Sequence, residues 1–407
     1  MSTIICDISA WEYWRTPPDV MDARPLGTAA THHPYDAPDP NGPKPPVPRL
    51  RANARGADAL LHSRLLTDLK GLSLPIRIFT DDVASYRRGI ISQPRRIPAN
   101  LPPRCIASLG GGLSILTPEA TLLLLPGRPG ASHLTNAVRL AKVMFEAAGI
   151  FTLTPSEPRL QTTIDALFKS GAFNPDQFMS DAVYGYSDAR GIPLGNHDRW
   201  GNKIQWRPVL NRRGQLTDMW KRPPITCVEN IAELLDEISR NADSRTYSVQ
   251  RRALSMAMNG SASPAETKAC LLLCAGVHNG GESWGNPFLN RHIPYTHDAK
   301  ILANREYAIG DLLWPDRKTL LEVQGEEFHA DDLGFRLASG RTAALESMGF
   351  SVAEITPAQM ADLELFDALL PSLGKKLGFV PHVPTAAYLK RRSELHRELF
   401  CMPYGPQ

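Results

Sequence analysis

The chain has 407 residues, 43% of them hydrophobic and 21% charged, which supplies a buried core and excludes wholly disordered, collagen-like and coiled-coil chains. At roughly 100 to 200 residues per domain, this length predicts two or three domains. Forty-five Lys and Arg stand against 42 Asp and Glu, so the chain is no polycation and any nucleic-acid surface has to be a local patch.

The six cysteines are scattered, with only Cys270 and Cys274 close together, which is not the dense pattern of a secreted disulfide scaffold. Residues 1–15 carry Asp7 and Glu12 and lack the basic-then-apolar pattern of a signal peptide. Apolar runs such as Leu122–Leu125 fall far short of the ~20 residues that span a bilayer. These features predict a soluble, cytoplasmic protein with no membrane association.

After the N-terminal segment 1–15, ten prolines between Pro17 and Pro48 predict an extended or disordered loop over 16–52, in which His32-His33 is a solvated pair. Residues Ala57–Leu72 have the apolar spacing of one helical face, and Pro75 forces an extended entry into a strand at Ile76–Thr80. Cys105–Leu109 and Leu113–Leu116 read as strands around Gly110-Gly111-Gly112. That triplet is a turn rather than a phosphate cradle, since no Lys-Ser/Thr follows it. Thr117 as N-cap with Pro118 at the first helical position opens a helix through Leu125, and Ser132 caps another over 132–148 that ends at Gly149. Together these pieces predict an α/β domain over 57–155.

A connecting region over 156–258 follows, with helices near 228–240 and 247–258. Its stretch 189–224 interleaves Arg212, Arg213, Lys221 and other cations with Trp200, Trp206 and Trp220. Such a pattern can contact phosphates and stack on bases, although a solvated loop explains the same letters and is the commoner case.

The region 259–380 carries the chemistry. Ser263-Pro264-Ala265-Glu266 reads as a capping box opening a helix to about Ala275, and Glu266 either only closes that box or also serves a site. Two apolar runs flank Pro315-Asp316-Arg317-Lys318, a hairpin in which Trp314 pairs with Thr319, Leu313 with Leu320 and Leu312 with Leu321, so that Asp311 faces Glu322. The period of two puts Asp311, Glu322 and Gln324 on one face. Opposed carboxylates repel unless something cationic sits between them. Hard oxygen donors suit Mg²⁺ or Mn²⁺ as that cation; alternatively Arg341 neutralises the pair, or one carboxylate is exposed at a strand end.

The ordered set of Glu266 on a helix, Asp311, Glu322-Val323-Gln324, then Arg341 with Leu345, Gly349, Phe350 and Val352, resembles the PD-(D/E)XK nuclease superfamily, in particular its very-short-patch-repair-like branch. The resemblance covers about 261–360. It implies a restriction-endonuclease-like domain, a mixed sheet flanked by helices, in which Asp311 and Glu322 hold Mg²⁺ (or Mn²⁺) and Glu266 supports the metal. Gln324 stands where the superfamily usually has Lys, and Gln neither accepts a proton nor contributes a charge. The resemblance therefore implies either a nuclease acting on DNA or a nuclease fold that binds nucleic acid without cutting it. Ile5 to Arg15 and Leu116 to Leu123 resemble the core of abortive-infection type IV antitoxins, which adds a toxin–antitoxin or phage-defence setting and a possible protein partner for the N-terminal region.

Further candidates for substrate contact are Arg341, as a phosphate fork or a salt bridge to Asp331 or Asp332, and His329, as a proton shuttle or a surface residue. Arg212 and Arg213 would add backbone contacts. Cys270, Cys274 and His278 share one helical face and invite a zinc reading, but their apolar neighbours favour a core role. The C-terminal segment 381–407 predicts a packing helix from Ala386 to Phe400 with Lys390, Arg391, Arg392 and Arg397 outward. The fold class expected for the whole chain is α/β (α+β).

Overall fold

The computed structural model describes residues 3–22, 54–80, 90–98, 101–173, 206–211, 213–240, 242–243, 245–324 and 332–402. Among them are twelve strands and fourteen α-helices, an α+β fold. The remainder of the Pro-rich stretch, and the part of the basic stretch that holds Trp200, lie outside the described residues.

In chain order, β1 (Thr3–Ile5) leads into α1 (Asp7–Trp14) and a short α2 (Pro18–Asp22), followed by α3 (Ala54–Arg64), β2 (Ile76–Thr80), β3 (Ser92–Arg96), β4 (Ile106–Gly110) and β5 (Leu113–Leu116). These five strands form one mixed sheet ordered β3-β2-β1-β5-β4. The segment 1–15 thus supplies the central strand of the first sheet. Trp14 at the end of α1 donates its indole N–H to Leu116 O at 2.8 Å, tying the helix to β5. The expectation of a loop from residue 16 is corrected at its start. Pro18 stands at the first position of α2, where a missing N–H costs nothing, and Val20 and Met21 are buried there.

The helices α4 (Pro118–Leu124) and α5 (His133–Ala147) begin as the sequence predicts, with Thr117 Oγ1 accepting from Ala120 N and Ser132 Oγ from Thr135 N. Next come β6 (Phe151–Leu153), α6 (Pro158–Lys169), β7 (Arg207–Leu210) and β8 (Leu216–Lys221), then α7 (Val228–Ser239) and α8 (Ser248–Leu254). β6 pairs with β8, not with the first sheet, in a three-stranded antiparallel sheet ordered β6-β8-β7. Part of the basic stretch is therefore a hairpin rather than a loop. Trp206 and Trp220 are buried in a cluster with Leu160, Ile164 and Phe173, so these aromatics are core and not base-stacking platforms.

The last region contains α9 (Pro264–Cys274), β9 (Phe288–Pro294), α10 (His297–Ala303), β10 (Tyr307–Trp314), β11 (Thr319–Val323), α11 (Asp332–Ser347), β12 (Ser351–Ile355), α12 (Pro357–Ala361), α13 (Leu363–Leu377) and α14 (Ala386–Phe400). Its four strands form a mixed sheet ordered β12-β11-β10-β9, with only β11 and β12 parallel. One face packs into an apolar core that runs continuously from Ile4 and Ile115 through α5 and α9 to Leu312 and Leu321. The other face holds Leu313, Leu320 and Val352 against Ala344 and Leu345 of α11. α14 corrects the sequence reading at one position: Arg392 points inward and is 1% exposed, because a carboxylate, Glu282, is buried within 3.0 Å of it. Cys270 Sγ lies 3.3 Å from Met258 Sδ, and it and Cys274 are buried; the six cysteines are all free. Among the described residues no helix is long and apolar enough to cross a membrane.

Candidate metal centre

The hairpin has the register that its sequence dictates. Trp314 pairs with Thr319, Leu313 with Leu320 and Leu312 with Leu321 around a turn at Pro315–Arg317, with Lys318 left-handed at φ 50°. Asp311 and Glu322 are the next residues beyond that ladder. There a side chain takes over from the backbone, as Val323 N–H donates to Asp311 Oδ2 at 2.7 Å. This bond and the pleat fix the Asp311 carboxylate in the middle of β10, where its ladder with β11 ends.

Glu266 arrives from the first turn of α9. The Ser263 hydroxyl caps the helix, accepting from Glu266 N–H at 3.2 Å, but the return half of the expected box is displaced by one residue. Glu266 Oε2 accepts from Ala262 N–H at 2.7 Å and from the Asn290 amide at 2.6 Å, while Oε1 accepts from the Ser263 hydroxyl at 3.1 Å. Three donors hold this carboxylate in place. Asn290 on β9 is in a left-handed conformation (φ 49°), a geometry Asn tolerates better than most residues.

The three carboxylates act on one another. Burial, then the charges of Glu322 and Glu266, push Asp311 well above the usual carboxylate range, against the opposing pull of Arg341. Burial pushes Glu322 up to about 7, partly offset by Arg341. Arg341 Nη2 donates to Glu322 Oε1 at 2.6 Å and to Ile309 O, so this arginine neutralises Glu322; Asp331 and the side chain of Asp332, also weighed as its partners, lie outside the described residues. Val323 and Arg341 engage one oxygen on each of Asp311 and Glu322, which leaves the other oxygen of each for a further donor or ligand.

Two residues here were not singled out from the sequence as site residues. Lys221, the last residue of β8, donates to Ala262 O at 2.5 Å, next to the peptide N–H that holds Glu266. Burial lowers its pKa, and the charges of Glu266 and Asp311 raise it in return, which sets the ammonium among these carboxylates. Its place in a basic stretch gave no hint of this, since the approach of β8 to α9 is a long-range event. Tyr295, buried just after β9, has a hydroxyl without a hydrogen-bond partner among the described residues, in the field of Arg341 and Glu322. No sequence pattern marks it.

The remaining candidates are not gathered here. Gln324 continues the parallel ladder, its N–H donating to Ile355 O at 2.9 Å, and its side chain is partly buried. Arg213 is exposed in the β7–β8 turn, eight residues and roughly 25 Å of extended chain from Lys221. His329 and Arg212 lie outside the described residues.

The donor set suits a hard divalent cation: carboxylate oxygens with raised pKa values, no sulfur and no imidazole. Among the described residues, however, no group of three or more His, Cys, Asp or Glu side chains is drawn together closely enough to hold a metal. The fit is therefore that of two ligands, Asp311 and Glu322, with Glu266 behind them. Comparison with family profiles, with curated proteins and with solved structures finds no match to this chain.

Proposed function

We propose that the chain is a divalent-metal-dependent nuclease of the PD-(D/E)XK type that hydrolyses phosphodiester bonds in DNA. One observation carries this reading: Asp311 and Glu322, carboxylates on the two strands of one hairpin, are both held above their ordinary pKa range by burial, with the charge of Glu266 acting on them. Like charges in one buried site disfavour ionisation, a cost that a bound cation would offset. Asp311 and Glu322 would hold Mg²⁺ or Mn²⁺, and the bound ion would supply Lewis acidity toward a phosphate and a more acidic water. Glu266 would fix the field on that pair. Lys221, in the field of Glu266 and Asp311, would supply the cation that Gln324, in the usual Lys position, cannot. Exposed cations such as Arg213 would give salt-dependent contacts to the phosphate backbone.

A second reading is a nuclease-fold regulator that binds nucleic acid or a protein without cutting, in a toxin–antitoxin or phage-defence setting. The Arg341–Glu322 ion pair favours it, because the guanidinium already stands beside the carboxylate that a metal would need.

The test is Mg²⁺ and Mn²⁺ titration with cleavage assays on supercoiled and single-stranded DNA, for the parent and for Glu322→Ala. The expected outcome is metal-dependent cleavage in the parent and a loss of about 100-fold or more in the variant, which keeps a cooperative melting transition. Equal cleavage by both removes the mechanism. A parent that neither binds metal nor cleaves, yet binds DNA without Mg²⁺, is the regulator.

A further inference from the structure

Arg341 and Tyr295 belong to one layer, between the last sheet and α11. The alternation along β11 puts Glu322 on the same face as Leu320, and Leu320 packs in one cluster with Tyr295 and with Ala344 and Leu345 of α11. Ala344 and Leu345 follow Arg341 by three and four residues, so all three share a helix face, and the guanidinium lies on the Tyr295 side of the sheet. Each of these two residues leaves one buried polar atom without a hydrogen bond among the described residues. Arg341 Nη2 donates to Glu322 Oε1 and to Ile309 O, but Arg341 Nε has no partner. Tyr295 is 5% exposed, and its hydroxyl has none either.

The two atoms are complementary, since a guanidinium Nε–H only donates and a phenolic oxygen can accept. Of the charges that bear on the Tyr295 hydroxyl, that of Arg341 is the largest, ahead of Arg305 and Glu322, and burial keeps the phenol above its ordinary pKa and therefore protonated. What draws the guanidinium elsewhere is Glu322, 2.6 Å from Nη2. That carboxylate is also one of the two oxygen ligands offered to a divalent cation, and a guanidinium and a metal ion at one carboxylate repel each other. The arginine side chain is 36% exposed, which leaves it room to move.

We propose that Tyr295 is a positioning residue of this site: when a divalent cation takes Glu322, Arg341 gives up that carboxylate and donates its Nε–H to the Tyr295 hydroxyl instead. The two outer nitrogens of Arg341 then form a fork for the oxygens of a phosphodiester. This role of Tyr295 rests on the reading of Asp311 and Glu322 as metal ligands.

The experiment is calorimetric titration of the full chain with Mg²⁺ and with Mn²⁺ at pH 8, for the parent, Tyr295→Phe, Arg341→Ala and the double variant, with urea unfolding of each in EDTA. Tyr295→Phe removes one unpartnered oxygen and keeps the ring among Leu313, Leu320 and Ala344, so the fold is retained. The expected result is metal binding by the parent that Tyr295→Phe weakens about tenfold, and no weakening by the same change when Arg341 is already Ala. In EDTA the urea midpoint of Tyr295→Phe should equal that of the parent, because the hydroxyl has no partner to lose there. A lowered midpoint, or the same weakening with and without Arg341, gives Tyr295 a packing role only and overturns the proposal. Equal metal affinity of the parent and Tyr295→Phe overturns it while the metal ligands stand. A parent that binds neither ion removes the metal-ligand reading itself, and the role of Tyr295 with it.

Discussion

Two regions of this protein bury acidic groups beside an arginine, and they do opposite things with them. Around Arg392 the groups are matched. Glu282 accepts from His382 N–H at 2.7 Å, from the Tyr388 hydroxyl at 2.5 Å and lies 3.0 Å from Arg392 Nη1, while Arg392 Nε donates to Asp367 at 2.7 Å and the guanidinium stacks over Phe366. Glu282 and Asp367 together face this one guanidinium, so the cluster fastens α14 to the rest of the core. At the hairpin, Glu322 pairs with Arg341, whose side chain is 36% exposed, and Glu266 and Asp311 lie in the field of a partly buried Lys221. Negative charge is in excess, and Asp311 and Glu322 respond with raised pKa values. Burial is common to both clusters; the balance of charge is what separates them.

The contrast can be broken most sharply at Arg392. Arg392→Ala leaves Glu282 buried without its cation and should cost about 3–5 kcal/mol in urea unfolding at pH 7. A loss below about 1 kcal/mol would show that the matched cluster does not hold the C-terminal helix.

Arg341→Ala should cost less, about 1–2 kcal/mol at pH 8, because the guanidinium is partly solvated. The cost should shrink toward zero at pH 5, where Glu322 carries a proton and no longer needs a cation. A cost independent of pH would mean that Arg341 acts through Ile309 O rather than through the carboxylate.

Glu322→Gln sharpens the same point. The folded chain binds the Glu322 proton more tightly than the unfolded chain does, since its pKa is raised to about 7. Its contribution to stability is therefore full below the ordinary glutamate range and is lost as pH rises through about 7. The parent should lose about 1–2 kcal/mol relative to Glu322→Gln between pH 5 and pH 8, read from paired denaturation curves. A parallel pair of curves would remove the charge surplus on which the contrast rests.

The smallest effect is expected for Asn290→Ala, about 1 kcal/mol, because Glu266 keeps Ala262 N–H and the Ser263 hydroxyl. If the amide is what fixes Glu266, the same variant should weaken Mg²⁺ binding several-fold in calorimetry, whereas unaltered binding would place Glu266 outside the metal's reach.

Much of the local structure was legible from the chain. The hairpin register followed from two apolar runs around Pro315–Lys318, and the caps at Thr117, Ser132 and Ser263 follow from residue types within three positions of each helix start. The faces were legible too, because a period of two assigns Leu312 and Leu321 to one side and Leu313 and Leu320 to the other, and each pair enters a different apolar cluster. Of the partners of the charges, Arg341 alone was legible, weighed from the sequence as the cation that neutralises the pair. Asn290, Lys221 and Tyr295 belong to elements whose meeting with the hairpin depends on strand order and helix placement. The inward turn of Arg392 was missed for the same reason: a helical wheel shows which residues share a side, but not that Glu282 is buried opposite.

What the sequence by itself determined is every feature whose cause lies within a few residues: helix starts, the hairpin, the alternation of buried and polar positions, and the presence of Glu266, Asp311 and Glu322 as acidic groups on ordered elements. The tertiary structure alone decided that β1 is the central strand of the first sheet, that β6 pairs with β8, and that Lys221 and Arg341 are the cations beside the carboxylates. Propensity and capping are short-range, so a linear reading reaches them. A shifted pKa is the sum of burial and of charges brought from distant parts of the chain, and only the folded arrangement fixes those distances.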